Sequence, residues 1–398
     1  MRRIVVKEVR PGMVAARSVN RPDGTVLLQS GDLITSRHLA ALHADGTYDL
    51  WIVDVGFEFF DELCTSQPTN AQQRLADGMR KAFLGLTTFV ERTQIKRFNL
   101  VIEDLVRGLL RNAAAVPCFG ALTEDEALLA HSCDVTALSI LLGLKLEGYL
   151  VEQRPRLNCR QAREILSLAL GALFHDVGEL MLPSQQRESR LAVATGDGDQ
   201  WKAHVDDGYG IVRGRLDPTA AVIVLHHHER FDGTGFGSQK GEGLRKAQQG
   251  KEIHIYARIV GAADLFCQTL YGQSGHIPQP MVKTLWQLQQ LPLRSAFDPV
   301  ILECLQGLFA PFAEGMIVML SDHRQALVTK VDTNVPCFPT VQTIAQPHMY
   351  HTEADPDQPR DQVIDLALNG DVMVEAVDGF PIKPYIFGVR KGRPLVAA

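Results

Sequence analysis

The chain has 398 residues, a formal net charge of −6 with histidine neutral, 45% hydrophobic residues and 22% charged residues. Its length exceeds one ordinary domain of roughly 100–200 residues, and the composition is that of a globular protein with a sizeable core, so two or three domains are expected. The acidic balance argues against general attraction to nucleic-acid polymers or anionic membranes, and no apolar run reaches the ~18 residues of a membrane span.

Residues 1–7 are basic but too poor in apolar residues for a secretory leader. The seven cysteines are odd in number, scattered and without a CxxC pair. They point to a reducing cytoplasm, and away from a disulfide framework or a zinc site built from thiolates.

Residues 1–66 read as a small α+β regulatory module. Ile4-Val5-Val6 is a short strand, and Pro11-Gly12-Met13-Val14 a turn into another. Pro22-Asp23-Gly24-Thr25 is a turn signal with Val26-Leu27-Leu28 as the strand after it. Thr35 can N-cap a helix running to Ala44, and Leu50-Trp51-Ile52-Val53 reads as one more strand. His38 and His43 are five apart on that helix, which is surface spacing rather than ligand spacing.

Residues 67–120 read as linking helices. From 71 to 115 there is no proline, and Leu75, Met79, Phe83 and Leu86 recur at helical spacing. This stretch suits a connector or a homodimerisation helix, and equally an amphipathic helix packed on its own domain.

Residues 121–310 are helical in pattern. Thr123 and Glu126 form a capping box for a helix that carries His131. A buried helix from Ala162 to Leu173 leads into Phe174-His175-Asp176-Val177-Gly178-Glu179. Trp201–213 reads as a helix with His204 near its start. An apolar run from Ala220 ends in His226-His227-His228-Glu229, and the glycine-rich loop Phe231-Asp232-Gly233-Thr234-Gly235-Phe236-Gly237 follows. Further helices are expected over 253–270 with Asp264, 281–291 and 298–309. After Pro311 the pattern turns to β, with a hairpin over 315–331 and a tail that includes a polar, proline-containing loop at 346–360. The fold class expected is therefore mainly α: an all-helical bundle, a small N-terminal α+β module and a C-terminal β hairpin or small sheet.

An isolated His-Asp pair such as His175-Asp176 usually caps a helix and makes an ion pair. Here five of the thirteen histidines (His131, His175, His204, His227 and His228) join Asp176 and Asp264 within 134 residues, each on or beside an expected helix. A set of nitrogen and oxygen donors with one bridging carboxylate suits two divalent cations of the iron, manganese, cobalt, nickel or zinc kind. Two such ions fit phosphate-ester hydrolysis.

The order and spacing resemble the HD-GYP phosphodiesterases, a branch of the HD metal-phosphohydrolases. The matching motifs are Phe174-His175-Asp176-Val177-Gly178, then His204 four residues before Gly208, then His227-His228-Glu229-Arg230-Phe231-Asp232-Gly233-Thr234-Gly235-Phe236, then Ala262-Ala263-Asp264. The resemblance covers about residues 123–335 and implies an HD-type helical bundle. It implies one metal on His131, His175, Asp176 and Asp264, and a second on His204, His227 and His228, with Asp176 bridging. Iron or manganese are the metals it favours. The implied substrate is the bacterial second messenger cyclic di-GMP, cut to pGpG or GMP in a signalling pathway with protein partners. Asp176 and Glu179 are the implied catalytic positions, and Arg230, Asp232, Gly233, Gly235 and Phe236 the implied substrate contacts.

The chain departs from the family's pattern in four places. Glu179 stands where a lysine is usual. The GYP triplet is Gly235-Phe236-Gly237. Leu270–276 lacks the usual basic residues, leaving Arg230 or Arg258 as substitutes. Ala127 stands where some members hold a third metal with a glutamate. A carboxylate facing developing negative charge would slow turnover, so on this reading Glu179→Lys raises it. A nucleotide-sensing or protein-docking module, and a hydrolase of another phosphate ester or cyclic dinucleotide, are the competing readings.

Overall fold

The computed structural model describes residues 2–6, 9–15, 18–20, 25–45, 47, 49–53, 127–182, 199–237, 247–271, 279–344 and 362–388. The expected helix over 71–115, the capping box at 123–126 and the loop at 346–360 lie outside the described residues. The chain divides into two compact units: residues 1–67 with 310–398, and residues 68–309.

In the N-terminal module β1 (Arg2–Val5) pairs antiparallel with β5 (Asp49–Val53), which also takes β2 (Val14–Ala15). Strands β3 (Val19–Asn20) and β4 (Val26–Leu28), the second of them expected, pair antiparallel. Helix α1 (Ser36–Ala44) starts at Thr35, whose hydroxyl accepts the His38 N–H at 3.3 Å while His38 Nδ1 accepts the Thr35 N–H at 3.3 Å. Each bond satisfies a backbone donor that the first helical turn leaves open. Val6, Val9, Ala15, Leu28, Ile34, Leu42, Leu50 and Ile52 fill one core, each stabilising by roughly 1.5–3 kcal/mol for the larger side chains.

The helical unit is arranged around a short, almost wholly apolar helix. Helix α2 (Ala127–Lys145) is followed by α3 (Glu147–Gln153), α4 (Cys159–Ala162) and α5 (Leu166–Leu173). Every residue of α5 from Leu168 to Leu173 is buried, because α2, α8 and α9 cover it on different sides. The helix expected from Ala162 is broken at 163–165, and Glu164 Oε1 takes the Leu166 N–H at 3.2 Å where α5 begins. After α5 the chain makes a 3-10 turn, Val177–Met181.

Helices α6 (Asp199–Lys202) and α7 (His204–Val212) come next. Helix α8 (Pro218–His226) is started by Asp217, which accepts the N–H groups of Thr219 and Ala220 at 2.9 and 3.1 Å, with Pro218 at a position that needs no donor. Helix α9 (Ile255–Tyr271) buries both Ala262-Ala263-Asp264 and Arg258. The unit closes with α10 (Met281–Leu288), α11 (Leu293–Ala296) and α12 (Pro299–Leu308), the last capped by Asp298 through the Val300 N–H at 3.0 Å. No helix among the described residues is long and apolar enough to cross a membrane.

The C-terminal hairpin forms the middle of a six-stranded antiparallel sheet. Strands β6 (Ile317–Leu320) and β7 (Gln325–Lys330) pair directly, and β8 (Thr340–Thr343), β9 (Val363–Asp365), β10 (Val374–Val377) and β11 (Phe380–Pro381) complete the order β11-β10-β6-β7-β8-β9. At the hairpin turn Asp322 accepts the Arg324 guanidinium at 2.6 Å and its backbone N–H at 3.2 Å.

Candidate metal centre

Five helix termini or faces deliver seven polar side chains to one place. His131 comes from α2. His175 and Asp176 follow α5, His204 opens α7, His227 and His228 follow α8, and Asp264 lies within α9. His175, Asp176, His204, His227 and Asp264 are buried at 3% exposure or less.

The ligand atoms fall into two groups. Asp176, His204, His227 and His228 form one, and His131, His175 and Asp264 the other. Within each group the candidate atoms lie within 4.8 Å of one another. Asp176 faces both. Its Oδ1 is 3.4 Å from His204 Nε2 and 3.3 Å from His227 Nε2. Its Oδ2 is 3.2 Å from His175 Nε2 and 3.7 Å from His131 Nε2. Asp264 Oδ1 is 2.9 Å from His131 Nε2, and its Oδ2 is 3.9 Å from His228 Nδ1.

Three of the imidazoles are held in one orientation by the same local device. His175 Nδ1 lies 2.7 Å from Ala172 O, His204 Nδ1 2.7 Å from Trp201 O, and His227 Nδ1 2.9 Å from Val224 O. A carbonyl can only accept, so Nδ1 carries a proton and Nε2 is the ring nitrogen turned to the cluster. The ring nitrogens His131 Nε2, His175 Nε2 and His228 Nε2 are buried and make no well-directed hydrogen bond. Buried polar atoms left in this way are costly, and a cation compensates them.

The electrostatics have the same character. Burial opposes charge on His175, but the Asp176 and Asp264 carboxylates overcome it and lift the imidazole to about 9. Burial opposes charge on Asp176 too, and the adjoining His175 holds its carboxyl well below the usual range. His227 and His228 are pushed down, first by burial, so they offer neutral rings. Nitrogen and carboxylate donors in two adjoining sets fit two divalent ions of borderline character.

The substrate-contact candidates lie alongside. The Phe236 ring stacks on His228 at 4.8 Å, with Lys202 Nζ 5.9 Å from its centroid. Gly235 lies so close to the backbone of the histidine run that an added Cβ would stand 2.4 Å from His228 O, so only glycine lets this loop fold back beside the ligands. Asp232 is engaged within the loop, accepting Thr234 Oγ1 at 2.6 Å and Ser295 Oγ at 2.7 Å. The Gly233 N–H donates to Arg230 O at 2.8 Å. Arg230, half-buried, lines a narrow cavity of about 40 Å³ with His227, His228 and Asp264.

Two residues named from the sequence sit differently from their expected settings. Arg258 is occupied by a buried ion pair with Asp298 and by Gln153 Oε1 at 2.7 Å, so it is not a spare cation for substrate. Glu179 is buried and accepts the Trp201 indole N–H at 3.0 Å. His226, the first of the three histidines, stays outside both ligand groups, with Nδ1 3.7 Å from Glu229 Oε1.

Two residues that support the ligands escape a sequence reading. Trp201 contacts His204 and His228, with ring centroids at 4.4 and 4.8 Å. Gln268 Nε2 lies 2.9 Å from each carboxylate oxygen of Asp264. A glutamine one helical turn after a ligand aspartate is a usable signal for the second. Nothing local marks Trp201 beyond its place three residues before His204.

Comparison with known proteins adds a likeness over part of the chain. Residues 128–267 match the HD domain. Over 106 residues the chain is 31% identical to a cyclic di-GMP phosphodiesterase response regulator of Xanthomonas campestris, covering 26% of each chain. Over 236 residues it is 27% identical to a cyclic di-GMP phosphodiesterase of Pseudomonas aeruginosa, covering 57% of this chain and 50% of that one. A cyclic di-GMP phosphodiesterase of Thermotoga maritima is 25% identical over 142 residues, 35% of this chain and 36% of its own. The matches thus span half or less of the length of these relatives.

Proposed function

We propose that this HD-domain protein is a two-metal phosphodiesterase that hydrolyses cyclic di-GMP to pGpG or GMP in bacterial second-messenger signalling. The observation that carries the reading is Asp176, which turns one oxygen to each of two histidine-containing ligand groups. Iron or manganese suits the donors best, and zinc, cobalt and nickel share the preference for nitrogen and oxygen. Two such ions, when bound, supply an activated water and neutralise charge on a phosphodiester. The relatives' names support the choice of diester.

The chain's own residues do the rest. His131, His175, Asp176 and Asp264 would hold one ion, and His204, His227 and His228 the other, with Asp176 facing both. The carbonyls of Ala172, Trp201 and Val224 keep three Nε2 atoms aimed inward. Arg230, Gly233, Gly235 and Phe236 offer the substrate a cation, a close backbone and an aromatic face. Asp232 shapes that loop through Thr234 and Ser295. The scattered cysteines without a CxxC pair suit a reducing, cytoplasmic setting.

A nucleotide-sensing module with weakened hydrolysis is the second reading. Its support is that Arg258, which lines the same cavity as the ligands, is spent on Asp298. The deciding experiment is anaerobic purification with Mn(II) or Fe(II) followed by incubation with cyclic di-GMP. Formation of pGpG or GMP that disappears in Asp176→Ala is the expected result. Binding without product selects the sensing module, and hydrolysis of other phosphodiesters alone changes the substrate. A purified protein without divalent metal would overturn the two-metal reading.

A further inference from the structure

Glu179 and Trp201 lie 22 residues apart in the chain and meet inside the helical unit, at 1% and 4% exposure. The indole N–H donates to Glu179 Oε1 at 3.0 Å, a bond strengthened because the acceptor is a carboxylate. With its N–H anchored, the indole touches two ligand rings, His204 at 4.4 Å and His228 at 4.8 Å, and reaches the Phe236 edge at 5.9 Å. The Trp201 backbone also accepts the His204 Nδ1–H at 2.7 Å. One residue therefore fixes the ring rotation of His204 and packs the outer face of His228.

We propose that Glu179 and Trp201 act as a positioning pair for the ion held by His204, His227 and His228. The inference rests on the two-metal reading. Glu179 does not face the phosphodiester in this role. It acts through the indole, as the support behind a ligand rather than as a ligand. The other group, His131, His175 and Asp264, has no ring contact with Trp201 among the described residues, so the pair acts on one ion and not on both.

The test is a Mn(II) titration of the full chain, followed by electron paramagnetic resonance and calorimetry. Circular dichroism and urea unfolding on the same samples report folding. Wild type is expected to bind two ions. Trp201→Phe keeps a ring but loses the N–H, and Glu179→Leu removes the acceptor. Each should weaken one of the two ions by about 10–100-fold and leave the other unchanged, the range seen when outer-shell partners of metal ligands are lost. Glu179→Gln keeps an acceptor oxygen and should restore two-site binding near the wild-type affinity. The proposal is overturned if Trp201→Phe and Glu179→Leu both bind two ions as wild type does. It is equally overturned if Glu179→Gln is as weak as Glu179→Leu, or if both ions weaken together. A wild-type protein that binds no Mn(II) would instead remove the two-metal reading itself.

Discussion

Gly178 lies directly against the backbone of His204: a Cβ built on it would stand 1.9 Å from the His204 carbonyl oxygen and 2.6 Å from the Gly208 nitrogen. No side-chain rotation relieves a clash with backbone. The 3-10 turn that follows Asp176 packs on α7 only because this residue is glycine. Gly178→Ala is therefore predicted to push Asp176 and His204 apart. Metal analysis of the purified variant should show at least one of the two ions lost, with unfolding at lower urea. Two ions at wild-type affinity would show that the two elements can separate without disturbing the ligands.

Glu179→Lys changes sign once the structure is considered. From the sequence, a lysine here would restore a cation beside the substrate. In the fold, position 179 is buried and its carboxylate accepts the Trp201 indole N–H, which an ammonium cannot do. Placing an unpaired charge there should cost on the order of 3–5 kcal/mol of stability. The expected outcome is a lower urea midpoint and slower turnover. A faster enzyme of unchanged stability would return Glu179 to the substrate side.

The histidine and aspartate cluster that the fold assembles was legible in the sequence because such groups are costly beside apolar helices. His175-Asp176 closes an apolar helix, and His227-His228 closes another, so both pairs stand out against their surroundings. Asp264 stands out for the same reason, being one carboxylate in an otherwise apolar turn of α9. The contact between Glu179 and Trp201 was not legible, because the two meet through tertiary packing that no periodicity encodes. Arg258 looked like an available cation only because Asp298 is 40 residues away. The C-terminal small sheet was expected, but strands β8 to β11 were not placed individually, since each is only two to four residues long, too short for an alternating pattern to register.

Metal binding should release protons. In the metal-free protein burial disfavours the charged form of His175, but the two aspartates outweigh it and raise the imidazole to about 9. At neutral pH that ring carries a proton that must leave before Nε2 can ligate. Mn(II) affinity is therefore expected to climb between pH 7 and about 9, by up to about tenfold per unit for one proton released. Calorimetry in buffers of different ionisation enthalpy measures the proton count directly. The sign for folding is the reverse: the raised value stabilises the metal-free fold fully below the ordinary histidine range, and that contribution fades as pH rises through about 9. Affinity independent of pH over this window would mean that His175 is neutral before the metal arrives.

Arg258 and Asp298 tie α9 to the start of α12. The guanidinium is 4% exposed and the carboxylate 1%, and both have further partners. Arg258 Nε donates to Ile253 O at 3.0 Å, and Asp298 Oδ2 accepts the Tyr149 hydroxyl at 2.9 Å. Removing one member leaves the other charge buried and unpaired, which typically costs about 3–5 kcal/mol. Arg258→Met should lower stability by that order in urea unfolding, since Asp298 keeps only Tyr149 and the Val300 N–H as partners from this set. The double variant Arg258→Met with Asp298→Asn removes both charges and is expected to recover part of the loss. Because Arg258 is spent on structure, the folded fraction of Arg258→Met should keep two ions and an unchanged KM for cyclic di-GMP. A rise in KM of tenfold or more at constant metal content would show that the guanidinium reaches the substrate after all.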